Sequence, residues 1–94
     1  MQTKATPLDE RRRRAAYRAA HRGTKEMDWL LGRYADNQLP VMTDAELDAF
    51  ERLLELPDPE LQVVLMNSTQ HATGEHAQLL ERIRSFHGIT AAKN

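Results

Sequence analysis

Ninety-four residues, 40% of them hydrophobic, give room for one small domain that buries roughly 60 to 65% of its unfolded surface. Cysteine is absent, which excludes disulfides, zinc held by thiolates and a thiol nucleophile. The net charge of −1 hides a division: residues 1–34 hold nine Lys/Arg against four Asp/Glu, residues 35–62 hold one Arg against eight acids, and residues 63–94 hold three bases against two acids.

A surface divided in this way suits a protein partner with its own charge pattern better than a nucleic acid, which favours a basic face throughout. No apolar run approaches the roughly 18 to 20 residues of a membrane span, and the N-terminus lacks the apolar centre of a secretory signal, so no membrane insertion is expected.

In chain order, residues 1–6 are polar with little to bury and are expected to be loose, with Thr6 as N-cap. Pro7 fits a first helical position, and Asp9 and Glu10 complement the positive end of the helix dipole. The helix then runs to about residue 22, where Gly23 offers a stop. Arg11 to Arg14 occupy four successive helical positions that point in four directions, so much of the run is expected to be solvated. The acids at 9 and 10 argue against a mitochondrial transit peptide.

A second helix is expected over about Thr24 to Gln38, because Met27, Leu30, Leu31 and Tyr34 follow the i, i+3, i+4, i+7 spacing of one buried face. Trp29 lies off that stripe by roughly half a turn at about 100° per residue, either packed by a neighbour or exposed for a partner. Gly32 costs roughly 1 kcal/mol against alanine in a helix, which close packing of another helix would explain. After a short loop at Pro40, Thr43-Asp44-Ala45-Glu46 reads as a capping box. In the third helix Leu47, Phe50, Leu53 and Leu54 form the apolar face, and Asp44, Glu46, Asp48, Glu51 and Glu55 form a solvated one.

Pro57-Asp58-Pro59 stops that helix and starts a fourth, with Asp58 as N-cap and Leu61, Val64 and Leu65 inward, ending near Asn67. A polar loop at 68–73 leads to a fifth helix, about Gly74 to His87, with Leu79, Leu80, Ile83 and Phe86 inward and Gly88 as C-cap. The tail, 89–94, is expected to be loose. No strand alternation is sustained, so the expected fold is all-α: a compact bundle of about five short helices forming one domain over residues 1–94.

Catalytic chemistry is not indicated. The histidines His21, His71, His76 and His87 lack the four-residue spacing that places two imidazoles on one helical face with a metal, and Ser68 and Ser85 sit in no nucleophile motif. The stretch that stands out is His21 to Tyr34, HRGTKEMDWLLGRY. There Gly23 permits a left-handed turn between two helices, Arg22 can make bidentate contacts with a carboxylate or phosphate, and Glu26 lies in a first helical turn. Two readings follow from spacing: a presentation device, or a local Arg22–Glu26 ion pair worth under about 1 kcal/mol if exposed.

The run RGTKE followed by MDWLLGRYAD resembles the Arg-Gly-x-x-Glu signature of the flavinylation (FAD assembly) factors for succinate dehydrogenase. The segment MTDAELDAFERLLELPDPEL is similar to that family's capped helix, double leucine and Asp-Pro-acid-Leu restart, so the resemblance covers about residues 15–66. It implies a small helical, non-enzymatic assembly factor in the cytoplasm. Its partner would be the flavoprotein subunit of succinate dehydrogenase, and by extension that of fumarate reductase, and it would promote covalent attachment of FAD to a histidine of the partner. It would hold no cofactor stably. The family's motif falls on Arg22, Gly23 and Glu26, with the following acid on Asp28, and the expected partner-binding set is Arg22, Gly23, Glu26, Asp28 and Trp29. Two departures are visible: Val63-Val64 stands where relatives often carry an aromatic, and Trp29 stands where an aliphatic residue is more usual. The rival reading, from the basic first helix, is a nucleic-acid-associated or antitoxin-like interaction module.

Overall fold

A computed structural model describes residues 7–66 and 74–88. The loose termini, the 68–73 loop and Asn67 of the sequence reading lie outside the described residues. Five α-helices follow one another among the described residues, α1 (Pro7–Ala20), α2 (Lys25–Gln38), α3 (Asp44–Leu53), α4 (Asp58–Met66) and α5 (Ala77–Phe86), with a 3-10 turn at Leu39–Val41. No strand occurs among the described residues. The all-α bundle expected from periodicity is the fold observed.

Local chemistry sets each boundary. Thr24 has extended backbone and its hydroxyl accepts from the Met27 N–H, which caps α2. Thr43 and Glu46 form the reciprocal capping box of α3 in full, at 3.1 and 2.9 Å. Helix α4 begins differently from its expected start: its first backbone bonds run from Glu60 and Leu61 to the Pro57 carbonyl. Asp58 therefore lies one position inside the helix and is not the N-cap, and its carboxylate is engaged elsewhere.

One apolar cluster joins the helices. Met27, Leu30, Leu31 and Tyr34 from α2, Leu47, Phe50, Leu53 and Leu54 from the α3 segment, Leu61 and Leu65 from α4, and Leu80 and Ile83 from α5 are all buried in it. Each fully buried large side chain stabilises the fold by about 1.5–3 kcal/mol relative to exposure. Val64 and Leu79 are partly buried against the cluster, and Val63 is exposed. Phe86, expected inward, is 38% exposed, with its ring edge-on to Tyr34 at 5.5 Å. It is the last residue of α5 and lies outside the buried cluster. Arg84, which no periodicity singles out, is fully buried and paired with Glu81 at 3.2 Å.

The contact between α1 and α2 is the most extensive between helices. It depends on small residues: Ala15 and Ala19 are buried, and a Cβ at Gly32 would lie 3.3 Å from the Ala20 Cα. Gly32 is thus the close-approach point its helix cost suggested.

The charge division along the chain becomes an interface. Arg11 of α1 bonds both carboxylate oxygens of Glu51 (2.8 and 3.2 Å) and Asp44 (2.8 Å) of α3. These hydrogen bonds, Glu51 first, raise the Arg11 pKa above its ordinary value. Arg18 approaches Glu55 at 3.7 Å, and Arg12 donates to the Met42 carbonyl. The acidic face of α3, expected to be merely solvated, in fact seats the basic helix, because α1 packs alongside α3 and the two charge runs meet.

Candidate functional site

Between α1 and α2 the chain reverses over only four residues, 21–24, and the geometry there is tightly specified. Gly23 adopts φ +116°, a region that side-chain-bearing residues avoid. Asp28, one turn into α2, reaches back with Oδ1 to accept the backbone N–H groups of Arg22 (2.5 Å) and Gly23 (3.1 Å). That satisfies two donors a tight turn would otherwise leave to water.

Arg22 does not form the local pair with Glu26. Its guanidinium crosses to the corner between α3 and α4, donating from Nε to Asp58 Oδ1 (2.8 Å), from Nη1 to the Leu54 carbonyl and from Nη2 to the Leu56 carbonyl (both 2.6 Å), with Nη2 also 2.8 Å from Asp58 Oδ1 as an ion pair. The carbonyls lie at the negative end of α3 and the carboxylate opens α4, so a cation between them is favoured by both. The Arg22 side chain is 11% exposed. Of the expected partner-facing residues, Arg22 and Asp28 thus turn inward to build the turn, whereas Gly23, Glu26 and Trp29 lie on its outside.

Glu26 is exposed and makes no hydrogen bond or ion pair among the described residues. One helical turn on, Trp29 is 51% exposed, and its ring rests on the His87 imidazole at 4.5 Å. His87 is itself fixed by a 2.7 Å contact between Nε2 and the Leu30 carbonyl. Trp29 therefore resolves into both sequence alternatives at once: one side is packed by a neighbour and the other is open. A shallow hollow of about 360 Å³ runs beside it, with Lys25, Asp28 and Arg33 on its walls and Ala20 and Gly32 below.

A second, more enclosed hollow of about 460 Å³ lies between α2, α3 and α5, lined by Tyr34, Met42, Ala45, Leu79 and Arg82 among others, and shares no residue with the turn. Burial raises the Tyr34 phenol pKa above its usual value there. Among the described residues no group of three His, Cys, Asp or Glu could hold a metal ion. The turn offers a rigid shape, one free carboxylate and one half-open indole. Those are features suited to recognition by a partner surface.

Sequence reasoning missed Asp58. The signal was present in Asp58-Pro59-Glu60, but an acid before a proline at a helix start reads as a cap, and nothing local reveals that its partner is 36 residues earlier.

Comparison with known proteins gives a consistent picture. The sequence model of the Sdh5 family, described as "Flavinator of succinate dehydrogenase", matches residues 13–87. An FAD assembly factor SdhE of Acetobacter pasteurianus is 50% identical over 54 residues, covering 57% of this chain and 50% of the relative. The FAD assembly factor SdhE of Yersinia pseudotuberculosis is 34% identical over 67 residues, 71% of this chain and 76% of the relative. A mitochondrial succinate dehydrogenase assembly factor 2 from Scheffersomyces stipitis is 43% identical over 51 residues, 54% of this chain and 34% of the relative. The matched stretch thus spans half or less of two of these relatives. No solved structure matches the chain significantly.

Proposed function

The chain belongs to the Sdh5 family, the flavinators of succinate dehydrogenase, and from that premise we propose that it is a non-enzymatic assembly factor for the flavoprotein subunit of that enzyme. It binds the subunit and promotes covalent attachment of FAD to one of the subunit's histidines, with the corresponding fumarate reductase subunit as a second client. The observation that carries this reading is the turn itself. Gly23, Glu26 and Trp29 form one exposed edge, held in a single geometry from within by Arg22 and Asp28.

A rigid docking edge suits the chemistry. When bound to its host, FAD supplies the electrophilic carbon, and the host supplies the histidine. What a helper can add is alignment, by binding the conformer in which histidine and flavin are in register more tightly than the others. Glu26 contributes a free carboxylate for a cationic or N–H donor on the partner, Gly23 lets the partner backbone approach without a side chain between, and Trp29 adds apolar area. The factor holds no cofactor of its own and works where the apo-subunit is made, in the cytoplasm. No described helix is long and apolar enough to cross a membrane.

The use of Arg11 and Arg12 within the fold, and of Arg18 in a rim pair with Glu55, weighs against the basic first helix as a nucleic-acid face, because among the described residues Arg13 and Arg14 are the members of its arginine run left exposed without an ion pair. Glu26→Ala tests the proposal. It is a surface change that moves stability by no more than about 0.5 kcal/mol, so helicity and melting stay the same while acid-stable flavin on the partner falls. Undiminished flavinylation by Glu26→Ala would overturn the docking assignment.

A further inference from the structure

The turn is only four residues long, yet it is gripped from two directions. From α2, Asp28 holds the N–H groups of Arg22 and Gly23. From the opposite side, the α3–α4 corner holds the Arg22 guanidinium by its carbonyls and by Asp58. We propose that Asp58 is a positioning residue of the docking site: acting through Arg22, it fixes the orientation in which Gly23 and Glu26 meet the partner. This rests on the assignment of the turn as the partner-facing edge.

Three features point to Asp58 and not to general stabilisation. An aspartate at the head of a helix ordinarily caps its own backbone, but α4 starts on the Pro57 carbonyl, and Asp58 Oδ1 instead accepts the Arg22 Nε–H and forms an ion pair with Nη2. The pair is largely shielded, with side-chain exposures of 11% and 22%, so its geometry is less blurred by water than that of the rim pairs. Finally, Asp58 is the anionic partner among three acceptors. Without it the cation keeps two carbonyls but loses the carboxylate that balances its charge, and the side chain that ties Arg22 and the turn to the corner is released from its anionic anchor.

The test compares the full chain with Asp58→Ala, Asp58→Asn, Glu26→Ala and, as an exposed control on the same helix, Glu60→Ala. Circular dichroism selects a temperature at which all five are folded. Amide exchange at Arg22 and Gly23 and the rate of acid-stable flavin formation on the purified apo-subunit with FAD are then measured. Asp58→Ala should speed exchange at those two amides and slow flavinylation by about tenfold or more, the scale of an ångström-level misplacement. Asp58→Asn, which retains an acceptor oxygen, should recover part of both, and Glu60→Ala should match wild type. A wild-type rate from folded Asp58→Ala, beside an impaired Glu26→Ala, would overturn the role given to Asp58 alone. So would a loss that disappears on cooling in step with the folded fraction. Wild-type rates from both Asp58→Ala and Glu26→Ala would overturn the docking edge itself.

Discussion

Replacing Gly23 by alanine isolates the backbone cost of the turn. At φ +116° an added Cβ meets nothing within 4 Å, so no steric term from neighbours enters. The cost that remains is conformational, about 1–3 kcal/mol for a side-chain-bearing residue held in a sparsely populated region. Against it stands a gain of about 0.4–1 kcal/mol, because alanine has fewer unfolded conformations to lose than glycine. The net is a destabilisation of up to about 2.6 kcal/mol and about 1.3 kcal/mol at the centre of both ranges, which for a domain of this size lowers Tm by roughly 5–10 °C. Thermal unfolding followed at 222 nm, with urea unfolding at 25 °C to check that the slope is unchanged, reads this directly. A Gly23→Ala variant melting with the wild-type chain would refute the argument that the turn demands glycine for its backbone. The glycine would then be explained only by what approaches it from outside.

Phe50, fully buried and within ring contact of Tyr34, should cost about 3–5 kcal/mol on substitution by alanine, enough to populate the unfolded state of a domain with about 5–15 kcal/mol in total; a loss under about 1 kcal/mol in urea would contradict its central place. Tyr34 has a phenol pKa raised by burial, so its contribution is fully present below the unfolded value of about 10 and is lost as pH rises through the higher folded value. Tyr34→Phe should therefore flatten the alkaline limb of the stability profile, and an unchanged limb would count against it. Arg11→Ala removes bonds to Glu51 and Asp44, and the resulting drop in Tm should be larger in low salt than in 1 M NaCl (Debye length about 3 Å); an equal drop in both would mean that packing of the arginine stem, not charge, joins α1 to α3.

Much of this architecture is legible in the amino-acid order because it is local. The α2 and α3 faces follow from helical spacing, the α3 start from Thr43 and Glu46, and the close approach of two helices from the otherwise costly Gly32. What the order conceals are partners distant in sequence. Arg22 and Asp28 sit in the recognisable motif and look available to a partner, but Asp28 folds back onto the Arg22 and Gly23 amides, and Arg22 turns inward once the corner at Leu54–Asp58 is brought beside the turn. Likewise the acids of α3 show only an amphipathic pattern until α1 is laid against them. Phe86 sits on the inward spacing of α5 but stands 38% exposed beside Tyr34 as the last residue of its helix, a placement that periodicity does not encode.

The role proposed for this chain is to accelerate covalent flavin attachment on another protein without taking part in the chemistry. The direct measurement is acid-stable flavin fluorescence of the purified apo-flavoprotein subunit of succinate dehydrogenase, incubated with FAD with and without the chain. The account predicts faster flavinylation with the chain present, dependence on Glu26, and no flavin retained on the chain itself. Equal flavinylation with and without it, at concentrations well above that of the subunit, would contradict the account.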